Sequence, residues 1–479
     1  MNPESSPISK TPAGNSFASL PLAPHVRANL AQLGYSAMTP IQAASLPLAL
    51  AGKDLIAQAR TGSGKTAAFA LALLANLNVR RFAVQSLVLC PTRELAEQVT
   101  QELRRLAAAE DNVKVLTLCG GAPLRNQLAS LEHGAHVVVG TPGRIMDHLE
   151  RGSLDLQALN TLVLDEADRM LDMGFFDDIS TVAKQCPKQR QTLLFSATYP
   201  EGIAQLAAAF MHDPQTVKLT EAPAATQIRQ LFFEVTENQR LHAVGLLLNH
   251  YRPVSTLAFC NTKAQCRDLV EVLRGEGFMA LELHGDLEQR DRDQVLIQFT
   301  NRSASVLVAT DIAARGLDIT QLEAVINVDV TPDPATHTHR IGRTGRMNLD
   351  GAAELATGWA FTLASLDEMG AVGRIEHSQG LQLMWQPLSS LSTGGSGQSA
   401  LRPPMATLQI LGGRKEKIRA GDVLGALTKD LGYAATQVGK ITVNDFSTYV
   451  AVAADIAQQV ERQLNAGRVK GKSVKVRRL

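Results

Sequence analysis

The sequence predicts an α/β protein in which two tandem parallel-sheet domains precede a small α+β domain. Two observations support this prediction. Short apolar runs alternate with helical patterns twice in succession, and a Gly/Ser/Pro-rich stretch then separates them from a different pattern. Strands that alternate with helices are typical of parallel sheets with helical crossovers. We therefore expect a disordered N-terminal tail at 1–16, followed by two α/β domains at 17–220 and 221–388. A flexible linker at 389–404 then leads to a C-terminal domain at 405–479.

Apolar runs of strand length define the elements of each domain. The strand candidates of the first domain are DLIAQA, SLVLC, HVVVGT, TLVLDE and TLLFSAT, with helical segments such as ELAEQVTQELRRLAA between them. Those of the second are STLAFCNT, MALELHG, SVLVATD, AVINVDV and WAFTLA. The C-terminal domain has the order strand, helix, strand, strand, helix, strand in LQIL, DVLGALTKDL, KITVND, TYVAVA, DIAQQVERQL and SVKVRRL.

Composition limits the classes of protein to which the chain can belong. Apolar residues make up 45% and charged residues 19% of the chain, as in ordinary soluble proteins. No run approaches the ~18 apolar residues of a membrane span, and MNPESSPISKTPAGNS lacks the apolar centre of a signal peptide. We expect a cytoplasmic protein with no membrane partner, and a monomer by default.

Cysteine spacing and charge distribution add two further expectations. The five cysteines show no metal-ligand spacing, so we expect buried free thiols at Cys90, Cys119, Cys186, Cys260 and Cys266. The chain carries a net charge of +1, but residues 405–479 contain 13 Lys/Arg against 6 Asp/Glu. Such asymmetry indicates either a polyanion-binding end or a solvated basic face.

The segment ARTGSGKT at 59–66 has the features of a phosphate-binding loop. It follows a strand candidate and precedes a helical run, which is the context that such a loop requires. Gly62, Ser63 and Gly64 would present backbone N–H groups to phosphates. Lys65 would neutralise phosphate charge and Thr66 would ligate Mg²⁺. The first position is Ala59 rather than glycine, so the match covers the GKT half of the pattern.

A pair of carboxylates in VLDEADRM (163–170) completes a nucleotide-hydrolysing site. Asp165 is placed to hold Mg²⁺, through a water molecule, and Glu166 to orient or deprotonate the attacking water. Taken alone, these residues are equally compatible with an acidic helix N-cap. In one domain with a phosphate-binding loop, they indicate an NTPase that uses Mg²⁺.

The second domain supplies closely spaced arginines in HRIGRTGR (339–346). They are compatible with a plain basic surface, but an NTPase with two similar domains also needs a cation from the second one. An arginine finger accelerates phosphoryl transfer by ~10³–10⁵. Arg343 and Arg346 are the candidates, and hydrolysis would then require the two domains to close.

Together these motifs resemble those of the DEAD-box RNA helicases over residues 17–388, which implies two RecA-like domains. In the first domain the resemblance rests on GYSAMTPIQ, ARTGSGKT, PTRELA, Gly120–Gly121, TPGR, DEAD and SAT. In the second it rests on LAFCNT, HGD, Gln289 with Arg292, TDIAARGLD and HRIGRTGR. One departure is His337, at a position where the family often has another aromatic residue.

The resemblance implies a role for further residues. Phe17 and Gln42 would contact adenine, and Asp318 would approach the ribose of ATP. Residues that would couple hydrolysis to domain movement are Asp168, Ser196, Thr198 and Asp311. Residues that would contact the RNA backbone are Thr92, Arg93, Gly121, Thr141, Arg144, Thr262, Arg292 and Thr310. For Gly121, Thr92 and Thr141, a purely local turn role is the alternative. Backbone contacts predict RNA binding without base specificity and local, non-processive unwinding.

The C-terminal segment has the element order of an RNA-recognition motif but lacks its aromatic signature, because Tyr449 is the only aromatic residue in TYVAVA. We therefore expect loops and one edge to bind a shaped RNA hairpin. The candidate residues are Arg414, Lys415, Lys417, Arg419, Lys470, Lys472, Lys475 and Arg477. The segment resembles the C-terminal domain of DbpA-type bacterial helicases. That resemblance implies a hairpin of 23S rRNA at the peptidyl-transferase centre, within precursors of the 50S subunit.

Three other functions stay open at this point. A general RNA remodeller would use the basic tail only to raise its affinity for RNA. A clamp would bind RNA without turnover, although it would not need all five of the predicted catalytic residues. A DNA helicase would be stimulated by DNA rather than by RNA.

Overall fold

The computed structural model describes residues 15–59, 62–199, 201–218, 228–314, 322–345, 358–391 and 401–479. Two seven-stranded sheets and one four-stranded sheet organise these residues. Every strand pair in the two larger sheets is parallel, and every pair in the third is antiparallel. The predicted fold class is confirmed.

The first domain is a parallel sheet with strand order β3-β4-β2-β5-β6-β1-β7. Its strands are β1 (Leu55–Gln58), β2 (Ser86–Leu89), β3 (Val115–Leu118), β4 (Val137–Gly140), β5 (Thr161–Leu164), β6 (Gln191–Ser196) and β7 (Gln215–Lys218). Its helices are α1 (Pro24–Gln32), α2 (Pro40–Leu50), α3 (Lys65–Ala75), α4 (Arg93–Leu106), α5 (Leu124–Glu132), α6 (Pro142–Glu150), α7 (Ala167–Asp172), α8 (Phe176–Gln185) and α9 (Glu201–Phe210). Sequence analysis missed β3 and β7, the two edge strands.

The second domain repeats this plan with strand order β10-β11-β9-β12-β13-β8-β14. Its strands are β8 (Ile228–Glu234), β9 (Thr256–Cys260), β10 (Ala280–Leu283), β11 (Val306–Thr310), β12 (Ala324–Asn327), β13 (Gly358–Ala364) and β14 (Trp385–Gln386). Its helices are α10 (Glu237–Tyr251), α11 (Lys263–Gly275), α12 (Gln289–Thr300), α13 (Asp311–Ala314), α14 (Pro334–Ile341) and α15 (Met369–Gln379). The strands β8 and β14 were not predicted.

Helices cover both faces of each parallel sheet, which is why its central strands are apolar at successive positions. In β2, Leu87 and Leu89 pack into one core, whereas Val88 packs into the core on the opposite face. The five cysteines are buried free thiols, as predicted.

The C-terminal domain is an antiparallel sheet of order β16-β17-β15-β18 with two helices. Its elements are β15 (Met405–Leu411), α16 (Ala420–Gly425), a π-helical turn (Ala426–Asp430), β16 (Val438–Val443), β17 (Ser447–Ala453), α17 (Ala457–Ala466) and β18 (Lys475–Arg478). Alternate strand residues such as Leu408, Ile410 and Val450 face the helices and form the core. On the other face, Thr407 pairs with Ala451 and Gln409 pairs with Tyr449.

The second face of this sheet contacts the second domain. The Nδ2 of Asn301 donates a hydrogen bond to Thr407 Oγ1 (3.1 Å), and the hydroxyls of Ser303 and Thr407 lie 2.7 Å apart. Both Asn301 and Ser303 follow α12, and the side chain of Thr407 is fully buried. The sheet face on which an RNA-recognition motif stacks bases is therefore closed at this point.

The chain between the second domain and β15 was predicted to be a flexible linker. Leu391 is buried in the core of the second domain, and Leu401 packs against the same core. The residues between them, 392–400, lie outside the described part of the chain, so the linker stays a prediction. The predicted disordered tail likewise falls outside it, apart from its last two residues. Among the described residues, no helix is long and apolar enough to cross a membrane.

We predict that Thr407→Val weakens the attachment of the C-terminal domain. Valine has a similar shape but cannot accept the hydrogen bond of Asn301 Nδ2, whereas Ser303 keeps its bond to Gln298 O (2.8 Å). A buried polar group without a partner costs about 1–3 kcal/mol. The midpoint of thermal unfolding should fall, and amide hydrogen exchange in Met405–Leu411 should accelerate. Thr428→Val, in the π-helical turn, is the matched control. Equal exchange in both variants would contradict the prediction.

Candidate nucleotide and RNA sites

The phosphate-binding loop connects β1 to α3 and turns through two glycines. Gly62 and Gly64 have φ angles of 78° and 93°, a backbone region that side chains rarely adopt. The chain enters the loop alongside β6, because Ala59 N donates to Ser196 O (3.0 Å). Lys65 is buried, and its Nζ donates to Ala59 O (2.8 Å). The lysine therefore ties the two ends of the loop together.

Gln42, predicted to contact adenine, is joined to this loop. Its Nε2 donates to Gly64 O (3.1 Å), and its Oε1 accepts from Thr39 N (2.9 Å) in a capping box that begins α2. Phe17 is buried and packs edge-on against Tyr35, with ring centroids 6.1 Å apart. The contacts of Gln42 and Phe17 with adenine stay predictions.

Asp165 lies at the end of β5 with its carboxyl group buried. Burial raises the pKa of this carboxyl to about 7, since the charged form loses its water. The positive charge of Lys65 opposes the shift, and the negative charge of Glu166 adds to it. The site therefore holds a carboxylate that a cation would stabilise.

The donor groups at this position fit Mg²⁺. Magnesium prefers oxygen ligands and usually keeps several waters, with one or two protein groups and the substrate phosphates. Thr66, the second residue of α3, offers a hydroxyl oxygen, and the desolvated carboxyl of Asp165 offers an oxygen near Lys65. These two groups would hold the ion, the aspartate through a water molecule.

Glu166 adopts a strained backbone conformation with a φ of 51°. Its Oε2 accepts a hydrogen bond from Arg169 Nη1 (2.9 Å), and both side chains are buried. Arg169 thus fixes the carboxylate that we expect to orient water. Sequence analysis missed Arg169, although its spacing of three residues from Glu166 on a helix was a usable signal.

Asp168 joins the DEAD segment to the SAT segment. Its Oδ2 accepts from Ala197 N (3.2 Å), Thr198 N (2.9 Å) and Thr198 Oγ1 (2.8 Å). The hydroxyl of Ser196 in turn donates to Thr198 O (2.6 Å). Three of the four predicted coupling residues therefore form one hydrogen-bonded unit at the ends of β5 and β6.

Strand order separates the predicted ATP residues from the predicted RNA residues. The loops after β1, β5 and β6, which are neighbours in the sheet, carry the nucleotide motifs. The loops after β3, β4 and β2, which form the other half of the sheet, carry Gly121, Thr141 and Thr92. Since the carboxyl ends of parallel strands share one edge, both sets lie along that edge.

Several of the predicted RNA residues also have local roles. Thr92 caps α4 by accepting from Leu95 N (3.3 Å), and Thr141 precedes α6. Gly121 has a φ of 73°. Arg93 Nε donates to Glu97 (2.7 Å). The cap made by Thr92 and the positive φ of Gly121 match the turn roles named as an alternative, whereas the Thr141 side chain makes no cap bond. RNA contact by these residues stays a prediction.

A buried network holds Arg144. Gln127 Oε1 accepts from Arg144 Nη1 (3.0 Å) and from His148 Nε2 (3.0 Å), while Gln127 Nε2 donates to Cys119 O (2.8 Å). Burial lowers the pKa of His148, which favours the neutral ring. Because the amide oxygen of Gln127 can only accept, its hydrogen bond with His148 requires the proton on Nε2. Gln127 therefore orients the arginine. Sequence analysis missed it, because a lone glutamine on a helix gives no distinguishing pattern.

In the second domain, a different arginine of HRIGRTGR occupies the centre of a network. The guanidinium of Arg340 is buried and makes two bonds to Asp311, Nε to Oδ1 (2.7 Å) and Nη2 to Oδ2 (2.6 Å). It also donates to Asp329 O (2.8 Å) and Asn261 Oδ1 (3.1 Å). Arg340 thus links α14 to the ends of β9, β11 and β12. It was not among the predicted site residues.

The other site residues predicted in the second domain lie on different helices, strands and loops. Arg343 is buried, and its carbonyl accepts from Leu322 N (3.2 Å). Thr262 caps α11, Thr310 ends β11, and Arg292 Nη2 donates to Ala313 O (3.4 Å). Arg346 and Asp318 lie outside the described residues.

His337, the noted departure, is buried beside Phe232 with ring centroids 6.1 Å apart. Burial, helped by the positive charge of Arg340, lowers the pKa of His337 to about 4. The ring is therefore neutral and packs as an aromatic side chain.

The C-terminal sheet brings two separate basic segments to one end. Because the strands alternate in direction, the loops 412–419, 444–446 and 467–474 all meet there. Lys470 Nζ donates to Lys417 O (2.6 Å), and Lys472 Nζ donates to Glu416 O (3.1 Å). We call these three loops the basic end. Arg477, by contrast, lies on the face of the sheet that is opposite the helices, where it donates a hydrogen bond to Gln409 (2.7 Å).

Tyr449 does not present its ring to solvent. Its side chain is buried, and its hydroxyl accepts from Gln409 Nε2 (3.1 Å). The sheet face therefore lacks the exposed aromatic rings that RNA-recognition motifs use. The basic end is the better-equipped surface for a polyanion.

Comparison with protein families gives matches in all three domains. The DEAD/DEAH box helicase family matches residues 39–206, and the helicase conserved C-terminal domain matches residues 239–348. The DbpA RNA binding domain matches residues 407–478.

Individual relatives agree with these matches. ATP-dependent RNA helicase DbpA of Escherichia coli (strain K12) is 49% identical over 458 residues, which cover 96% of this chain and 98% of that protein. DEAD-box ATP-dependent RNA helicase CshA of Geobacillus kaustophilus is 43% identical over 76% of each chain. Among solved structures, S. cerevisiae Dbp5 bound to RNA and ADP BeF3 has a TM-score of 0.70 and 31% identity, over 78% of this chain and 96% of that one.

We predict that Asp165→Asn stabilises the nucleotide-free protein in a pH-dependent way. Because folding raises the pKa of Asp165 from 3.8 to about 7, its ionisation favours the unfolded state. The gain from asparagine should be small near pH 4, grow up to about pH 7 and stay constant above that. A gap of about three pKa units sets an upper limit of roughly 4 kcal/mol.

Thermal unfolding midpoints of the parent and Asp165→Asn between pH 4.5 and 8.5 test this prediction. Asp147→Asn is the control, because Arg151 lowers the pKa of that exposed carboxyl and its loss cannot stabilise the fold at neutral pH. A stabilisation by Asp165→Asn that does not vary with pH would contradict the account.

Proposed function

The chain belongs to the DEAD-box ATP-dependent RNA helicases of the DbpA type, and we propose that its C-terminal domain directs it to a hairpin of 23S rRNA. It is an RNA helicase and an RNA-dependent ATPase with a separate RNA-binding domain. The finer proposal is that it unwinds short duplexes locally at the peptidyl-transferase centre during assembly of the large ribosomal subunit. We also propose that it acts in the cytoplasm as a monomer, and the five buried free thiols suit a reducing compartment.

For hydrolysis we propose a division of labour within the first domain. Mg²⁺, when bound, would neutralise phosphate charge. Thr66 and Asp165 would hold it, and Lys65 would leave Ala59 O to contact the β/γ-phosphates. Glu166, held by Arg169, would orient the attacking water and accept its proton. From the second domain, Arg343 and Arg346 would stabilise the transition state.

We propose that the bond between Asp168 and Thr198 transmits the state of the nucleotide. Asp168 lies two residues after Glu166, and it holds the backbone and hydroxyl of Thr198. A shift of the DEAD segment would therefore move the SAT segment. Asp311, held by Arg340, would have the corresponding role in the second domain.

The observation that carries the rRNA proposal is the basic end of the C-terminal domain. Two segments about 50 residues apart, 414–419 and 468–475, meet in space there. The sheet face is closed by Thr407 and Tyr449, so bases cannot stack across it in the usual manner. A surface of loops suits a shaped hairpin, whose phosphates lie on a compact curve.

We predict that charge reversal at the basic end removes selectivity for rRNA. Steady-state ATPase activity would be measured at limiting RNA, with either a 23S fragment that carries the peptidyl-transferase hairpin or an unstructured RNA of equal length. The triple variant Arg414→Glu, Lys415→Glu and Lys472→Glu should raise the half-maximal concentration of the 23S fragment at least ~10-fold. Stimulation by the unstructured RNA should hardly change.

The control for this experiment reverses three exposed charges outside the basic end, at Lys429, Lys440 and Arg462. It should leave both stimulations unchanged. Equal stimulation by both RNAs in the parent and the variant would instead indicate a general RNA remodeller. Stimulation of ATPase activity by DNA would indicate a DNA helicase. RNA binding without ATP turnover would indicate a clamp.

We predict that Gln127 acts on RNA through Arg144. Gln127→Leu keeps the volume but removes the shortest hydrogen bond of Arg144, which retains only Ala122 O (3.3 Å) and the Asp147 carboxylate (3.6 Å). The half-maximal RNA concentration for ATPase should therefore rise about 10-fold with similar kcat. In an Arg144→Ala background the same substitution should have no further effect. Ser130→Ala on the same helix is the control. An equal effect in both backgrounds would show that Gln127 does not act through Arg144.

A further inference from the structure

A large aromatic side chain is exposed at the tip of the hairpin between β16 and β17. Phe446 is 71% exposed, whereas Val450 and Val452 in the following strand are fully buried. It is not part of the buried core of the C-terminal domain. An exposed ring contributes little to folding stability, so the fold alone does not account for it.

The loop that carries two cations is fixed against this tip. Arg414 N donates to Asn444 O (2.9 Å), and Lys415 N donates to Asp445 O (2.9 Å). A Cβ atom at Gly413 would overlap the carbonyl oxygen of Asn444, so only glycine permits this close approach. The positions of Arg414 and Lys415 relative to the hairpin tip are therefore set by the backbone.

The cations themselves are available to a ligand. The side chain of Arg414 is 70% exposed, and its Nη1 lies 3.7 Å from Asp445 Oδ1, a weak surface ion pair. Lys415 is exposed as well. The basic end thus combines a flat apolar ring with positive charges that come from a different loop.

We propose that Phe446 stacks on an unpaired base of RNA while Arg414 and Lys415 contact the phosphates beside that base. This inference rests on the proposed RNA binding by the basic end and assigns a base contact to it. Aromatic rings stack on any base, because every base has a π-face. A loop nucleotide of a hairpin is unpaired and can reach such a ring, whereas a base inside a duplex cannot.

The surrounding charge favours RNA over a protein partner. Protein interfaces are depleted of lysine around their apolar centre, whereas nucleic-acid sites combine aromatic rings with cationic residues. At the basic end, Lys417, Lys470 and Lys472 are tied together by hydrogen bonds through the same loop. A single ring among so many cations is poorly suited to an apolar protein surface.

Binding of a hairpin RNA with an unpaired loop to the full-length, nucleotide-free protein tests the proposal. Fluorescence anisotropy would compare that hairpin with a blunt duplex of the same stem. Phe446→Ala should weaken hairpin binding by roughly 5- to 150-fold, the range for loss of one stacked base, and leave duplex binding unchanged. The dependence of hairpin affinity on salt should stay the same, because no phosphate contact is lost.

Two further variants distinguish stacking from other roles. Phe446→Trp should retain hairpin affinity, and its added indole fluorescence should be quenched by the hairpin but not by the duplex. Leu424→Ala, which removes another exposed apolar side chain of this domain, should have no effect. Arg414→Gln should weaken binding and reduce the salt dependence by about one phosphate contact.

The outcomes separate this inference from the proposed function. If Arg414→Gln weakens hairpin binding and Phe446→Ala does not, the stacking role is overturned while RNA binding by the basic end stands. If neither substitution has an effect, both are overturned. Equal weakening of hairpin and duplex by Phe446→Ala would also overturn stacking on an unpaired base.

Discussion

Parallel pairing of strands is the constraint on which the catalytic domains depend. It places the carboxyl ends of β1, β5 and β6 side by side, so that loops more than a hundred residues apart in sequence meet at one edge. The contact between Asp168 and Thr198 exists only because β5 and β6 are neighbours. The same constraint places the candidate RNA loops beside the nucleotide loops, so one rigid sheet connects the two.

Charges buried at these edges determine how tightly the loops are held. Glu166 is paired with Arg169, and the buried Arg340 is paired with the partly exposed Asp311, so that each buried ion has a partner that offsets part of the cost of its burial. Asp165 instead has a raised pKa, and its partner is expected to be a metal ion with ATP. A bound cation would stabilise the charged form of this carboxylate.

In the C-terminal domain, an antiparallel sheet determines which loops lie together. Alternating strand directions bring three loops to one end, and the helices occupy one face. The second domain contacts the other face at Thr407, so this sheet is covered on both sides near that residue. The loops of the basic end remain exposed at Arg414, Lys415 and Phe446, and they are the surface that we propose for RNA.

The sequence by itself determined the fold class, all but one of the inner strands and the catalytic motifs. Apolar periodicity marks buried strands, and glycines, carboxylates and arginines at fixed spacing mark phosphate chemistry. It missed the edge strands β3, β7 and β14, which bury less and carry weaker patterns. It also missed β8, an inner strand of which only Leu231–Phe233 is buried, so that its apolar run is short. Only the tertiary structure decided that Gln127 and Arg340 position other residues, since those contacts join segments distant in sequence. For the same reason, only the tertiary structure brought Arg414 to the hairpin tip that carries Phe446. It also showed that the second domain covers the sheet at Thr407.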